Sequence, residues 1–213
     1  MDEHLRVHLH LRATPRPPGL PAAADLVWNA EKTGPEDAMG YAGLACRWLT
    51  GLVFLVAAVS KARDFAGFRR SLAALAPPRV GRSATAAAAV PAAELLVAVS
   101  VALPATAKWG LAAAFVLELA FMAAILTALR RGVHEPCRCF GASERRLGAT
   151  EVTRDAVLAA VAAVGLLGAM TGDPARQPAG WAVAALAGAV GALLTIRLDE
   201  LTDLYFPQNP SRT

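Results

Sequence analysis

Two cysteines one residue apart, Cys137 and Cys139 in Pro136-Cys137-Arg138-Cys139-Phe140-Gly141, are the residues of this sequence best suited to chemistry. Thiols at that spacing can close a small, strained disulfide, and strain raises the reduction potential, which suits exchange rather than stapling. Arg138 within the pair, with Arg130 and Arg131 nearby, favours the thiolate, the reactive form. Pro136 and Gly141 bracket the pair in a turn that a larger partner could reach. Two other readings stay open. The pair could be unconnected loop cysteines, or His134, Cys137 and Cys139 could be three ligands for Cu(I) or Zn(II), for which no fourth ligand is evident. The third cysteine, Cys46, lies about 14 residues before the end of an apolar run, roughly 21 Å from the side of the pair, and reads as a small packing residue.

A second constellation is acidic. Glu94 stands about ten residues into one apolar run and Glu118 about eleven before the end of another, so both lie about 15–16 Å from the same membrane face. Ionisable residues at such depth are costly and face the bundle interior. Arg47, a few residues deeper in the first run, is a candidate to pair with one of them. The three could line a polar pocket for proton transfer or for a quinone head group, or form a structural ion pair that locks the bundle.

The elements that must position these residues are five apolar blocks, at about Tyr41–Ser60, Ala84–Leu103, Trp109–Leu129, Asp155–Met170 and Gly180–Ile196. The first three have about the 20 residues that a bilayer crossing requires, and the last two are shorter. Abundant Ala and Gly let neighbouring helices approach closely. Between the first two blocks, Phe65, Phe68, Leu72 and Leu75 recur at helical spacing while Arg63, Arg69 and Arg70 take other faces. That pattern predicts a short interfacial amphipathic helix, ended by Pro77 and Pro78.

Composition agrees. The 213 residues are 55% hydrophobic and 18% charged, with a mean hydropathy of +0.42, against about half and about a quarter in soluble domains. The reading is an all-α integral membrane protein: a four-helix bundle with a fifth transmembrane helix, its partner the lipid bilayer. The net charge of +4 forms no continuous basic face, so nucleic acid is excluded as a partner. The loop from Lys61 to Ser83 carries six Lys/Arg (Lys61, Arg63, Arg69, Arg70, Arg79, Arg82), and so does the loop from Arg130 to Arg154 (Arg130, Arg131, Arg138, Arg145, Arg146, Arg154). Lys108 and Arg176 stand between the other blocks. The positive-inside rule therefore puts the Cys-x-Cys loop on the cytoplasmic face of a bacterial cell membrane.

Residues 1–38 are Pro-rich with no apolar run and read as a flexible tail. Met39 precedes the first block as an initiator would, so translation from Met39 is an expectation. His4, His8 and His10 in this tail read as solvated side chains. The transmembrane domain is expected over 39–199 and a C-terminal tail over 200–213.

The run Ser60-Lys61-Ala62-Arg63-Asp64-Phe65-Ala66-Gly67-Phe68, then Leu75-Ala76-Pro77, then Pro91-Ala92-Ala93-Glu94-Leu95-Leu96, then Cys137-Arg138-Cys139-Phe140-Gly141 resembles the MauE family of methylamine utilisation, within the DoxX-like membrane proteins. The likeness covers roughly residues 40–170, and Cys-x-Cys-Phe-Gly is its most specific element. The resemblance implies a bundle of about four helices and a role in redox maturation of a disulfide-containing client, methylamine dehydrogenase in the namesake pathway. It also implies partnership with a thioredoxin-like protein and makes Cys137 and Cys139 the exchanging pair. Arg138 stands where the family pattern more often has Gly, which alters the turn and not the thiols. Relatives in the wider group act near quinones. A non-catalytic scaffold that recruits a thioredoxin-like protein through basic loops is the rival to a thiol-disulfide oxidoreductase. Maturation of an exported client would want the pair outside the cell, whereas the charge count puts it inside.

Overall fold

Uninterrupted runs of Ala, Leu and Val satisfy their own backbone polar groups away from water by coiling into helices, whose bonds all close within the segment. A computed structural model describes residues 35–76, 81, 83–133, 148–171 and 178–197. Among these, six helices follow in order: α1 (Pro35–Arg63), α2 (Phe65–Leu75), α3 (Ala84–Ala102), α4 (Ala107–Arg130), α5 (Ala149–Thr171) and α6 (Pro178–Ile196). Four of them, α1, α3, α4 and α5, are long and apolar enough to cross a membrane, and Gly180–Ile196 of α6 forms a shorter apolar helix. Leu96, Val116 and Leu186 are 67%, 64% and 66% exposed, so the apolar surface turns outward as lipid requires.

The four spans form a ring in which α1 neighbours α3 and α5, and α4 closes the ring between them. Phe54, Val97, Val101, Leu111, Ala114 and Ala162 make its centre. Small residues set the helix spacing. A Cβ on Gly43 would lie 2.8 Å from the Gly168 Cα, and one on Gly168 would lie 2.6 Å from the Gly43 Cα, so α1 and α5 touch backbone to backbone. On the opposite side of α1, a Cβ on Gly188 would lie 2.6 Å from the Ala45 carbonyl oxygen, which seats α6 along α1, outside the ring.

Two boundaries differ from expectation. α1 begins at Pro35, inside the segment expected to be tail, with Pro at a first-turn position that tolerates its missing N–H. α5 begins at Ala149, where the Glu151 side chain accepts from the Gly148 N–H at 2.8 Å and closes the helix start. It runs for 23 residues and is not the short span read from Asp155. Residues 1–34 and 198–213 lie outside the described residues.

The expected interfacial helix is α2. Asp64 breaks α1 and caps α2, its side chain accepting from the Gly67 N–H at 2.9 Å. Phe68 is buried and Arg69 and Arg70 are exposed, so the apolar face of α2 is turned onto the end of the bundle. α4 ends in Gly132 at φ 71°, a left-handed position that suits glycine. Just before it, the Arg131 guanidinium donates to the Leu75 carbonyl and ties this end of α4 to α2.

Candidate functional site

The C-terminus of α1 and of α4 and the N-terminus of α3 and of α5 share one end of the bundle, the end at which segment 134–147 joins α4 to α5. Inside that half, charged side chains meet. Lys61, two residues before the end of α1, places Nζ 2.6 Å from Glu94 Oε1 on α3, with the two side chains 2% and 1% exposed. The Lys61 ammonium also lies 5.8 Å from the ring centre of Phe68 on α2 and 5.8 Å from that of Phe121 on α4. Two aromatic faces thus give the cation a partly polar environment that aliphatic neighbours would lack.

Glu118 on α4 and Arg154 and Asp155 on α5 are buried as well. They line, with Lys61, Glu94 and Phe121, a cavity of about 20 Å³, room for about one water molecule. Arg154 Nε stands 3.7 Å from Asp155 Oδ1. Removing an ion from water costs several kcal/mol even after relaxation, so such groups persist only where they neutralise one another. These five side chains comprise three carboxylates and two cations, a formal charge of −1 when all are ionised.

An apolar cavity adjoins this one. It lies under α2, among Phe68, Leu72, Leu75, Val90 and Ile125, and shares Lys61 and Phe121 with the charged cavity. Lys61 and Phe121 are therefore the partition between an apolar slot and a polar chamber.

The sequence reading brought Glu94 and Glu118 to one depth, and the structure puts both on one cavity. It differs for Arg47. That side chain donates through Nε to the Val101 carbonyl at 2.7 Å and through Nη2 to the Ala102 carbonyl at 2.8 Å, closing the C-terminal end of α3. Arg47 lines other cavities, at the opposite end of the bundle, and Lys61 is the cation that meets Glu94. The charge count treats Lys61 and Arg154 as loop charges, and hydropathy treats Asp155 as the edge of an apolar block. The signal for all three was helical register. Lys61 continues the buried face of Phe54, Ala57 and Ala58, and Arg154 and Asp155 continue that of Leu158 and Ala162.

Cys46 is half-buried against α5, where a Cβ on Gly165 would lie 3.3 Å from its own, as expected of a packing residue. Cys137, Cys139, Arg138 and His134 lie outside the described residues. Among the described residues no group of three His, Cys, Asp or Glu side chains is arranged to hold a metal ion.

The motif elements now have physical roles. Lys61 and Glu94, one from each of the spaced elements Lys-x-x-Asp and Pro-x-x-Glu, are the two halves of the buried ion pair, and Asp64 is the cap that turns α1 into α2. Comparison with curated proteins and with solved structures returns no match. The model of the methylamine utilisation protein MauE family matches residues 39–168, from the first turns of α1 almost to the end of α5, and the chain belongs to that family.

Proposed function

We propose that this protein is a membrane thiol-disulfide exchange factor in which Cys137 and Cys139 trade a disulfide with a thioredoxin-like partner, in the service of a disulfide-containing client. What supports the reading is connectivity: segment 134–147, which holds both cysteines in the sequence, joins the two helices that supply Glu118, Arg154 and Asp155. In the exchange, one loop thiolate attacks the partner's disulfide to form a mixed disulfide and release a partner thiolate. The second loop thiolate then displaces the remaining partner sulfur. The loop pair leaves oxidised, the partner leaves as a dithiol, and the two loop protons end on the partner's sulfurs. A cluster of three carboxylates and two cations is neutral with one proton bound, which suits it to hold one of those protons in transit. Run in reverse, the loop disulfide oxidises the partner dithiol, and the loop dithiol so formed is re-oxidised by a quinone, which takes two electrons and two protons and leaves as the quinol, its ring in the apolar slot and a carbonyl toward Lys61. Segment 134–147 faces the cytoplasm in this reading. With Lys61 and Arg154 inside the bundle, the two basic loops still carry five Lys/Arg each, against Lys108, Arg176 and the four that precede α1 (Arg6, Arg12, Arg16, Lys32) on the other side.

The test is the redox state of the pair in acid-quenched native membranes, read by differential alkylation and peptide mass, with Cys46 as internal control. The expected result is a disulfide fraction at Cys137–Cys139 that a thioredoxin-like reductant removes, and loss of client maturation in C137S/C139S. Two thiols unmoved by mild oxidant, or full client maturation in the double Ser variant, would overturn it.

A further inference from the structure

At the other end of the bundle, where α3 turns into α4, two cavities of about 270 and 320 Å³ meet. Leu44, Arg47 and Pro104 line both. The first cavity has Arg47 and Lys108 on its wall, and the second is walled by Trp48, Leu52, Leu55, Val99 and Trp181. Among the described residues neither wall includes an acidic side chain. The first wall thus carries two basic side chains, the second is mostly apolar, and the two share residues.

We propose that this pair of cavities holds an anionic phospholipid, its phosphate between Arg47 and Lys108 and an acyl chain in the apolar cavity. Three features support that occupant. The chemistry is complementary: two basic side chains, Arg47 and Lys108, line the first cavity, and bonds to the Val101 and Ala102 carbonyls hold the Arg47 guanidinium in place beside it. The position is interfacial, because Trp48, Trp109 and Trp181, three of the four tryptophans, lie at this end, and tryptophan concentrates at the headgroup level. Finally, Trp181 Nε1 is buried without a hydrogen-bond partner among the described residues and stands on the wall of the apolar cavity. An N–H in that place matches the ester carbonyl where a lipid's head joins its tails, an acceptor that a pure hydrocarbon would not bring. Lys108, exposed and lying 5.6 Å from the ring centre of the exposed Trp109, has the length to follow a headgroup.

The experiment uses the full chain in nanodiscs of mixed phosphatidylcholine and phosphatidylglycerol, with retained lipid counted by native mass spectrometry. The expected result is about one phosphatidylglycerol per chain, retained at least tenfold in preference to phosphatidylcholine. Lys108→Gln should cut that preference at least threefold. Val99→Trp, at a position 49% exposed, should fill the apolar cavity and abolish retention with the unfolding temperature unchanged. Arg47 is left in place because its loss also opens the end of α3. Equal retention of the two lipids, or full retention in Val99→Trp, overturns the proposal. Displacement by inorganic phosphate alone, at concentrations that leave ionic strength unchanged, would show a free-anion site and overturn the lipid reading.

Discussion

The two halves of the bundle solve the same problem with opposite materials. Toward the α3–α4 turn, Gly43 and Gly168 bring α1 and α5 into backbone contact, and Gly110 does the same for α4 and α3, where a Cβ would lie 2.7 Å from the Val101 nitrogen. Toward the end where segment 134–147 joins α4 to α5, the interior of the same four helices is filled by Lys61, Glu94, Glu118, Arg154 and Asp155 around a small cavity. Small residues give contact by dispersion over short distances, which needs no partner of a particular charge. Charged residues give attraction only as a complete set, since each removed partner leaves another ion stranded in a low-dielectric interior. The first half is a structural joint, and the second half holds together only while its charges stay matched.

That contrast can be broken most severely at the ion pair. Lys61→Ala, or Glu94→Ala, leaves one buried ion without its partner and is expected to cost about 3–5 kcal/mol, read as lost yield and a lowered midpoint in detergent unfolding. The double variant Lys61→Met/Glu94→Leu removes both ions and should recover most of the loss. Recovery would show that charge balance rather than shape holds this half together. In the glycine half, Gly168→Leu forces α1 and α5 apart and should cost about 1–3 kcal/mol, with no pairing substitution able to restore it. The smallest effect is expected at the hinge between the halves of the motif. Asp64→Ala removes the α2 cap at about 1 kcal/mol, and faster limited proteolysis at the start of α2 measures it without a change in the unfolding midpoint of the ring.

Hydropathy and spacing carry the ring well, because lipid rewards each apolar residue independently of its neighbours. The common depth of Glu94 and Glu118 was legible for the same reason: depth along a helix is a matter of counting residues. Pairing was not. Lys61 and Arg154 stand at helix ends beside loop arginines, and a count of charges treats all of them alike. Only their register with Phe54 and Ala57, or with Leu158 and Ala162, marks them as inward-facing. Arg47 illustrates the converse. A cation deep in an apolar run invites pairing with a carboxylate, yet the carbonyls left over at the end of α3 are acceptors too, and a linear sequence does not display them. The length of α5 was missed because Glu151, Arg154 and Asp155 lower its apparent hydropathy while sitting inside the helix.

The Lys61–Glu94 pair also has an order in time. Its members are 33 residues apart, so Lys61 emerges from the ribosome before its counter-ion does. A lone lysine at the centre of a bilayer costs about 2.5–3.5 kcal/mol on insertion scales. Lys61, close to the end of its helix, avoids that cost by stretching its ammonium toward the headgroups until α3 arrives. In the folded bundle the same lysine, drawn onto Glu94, is the bond that ties the two helices to each other.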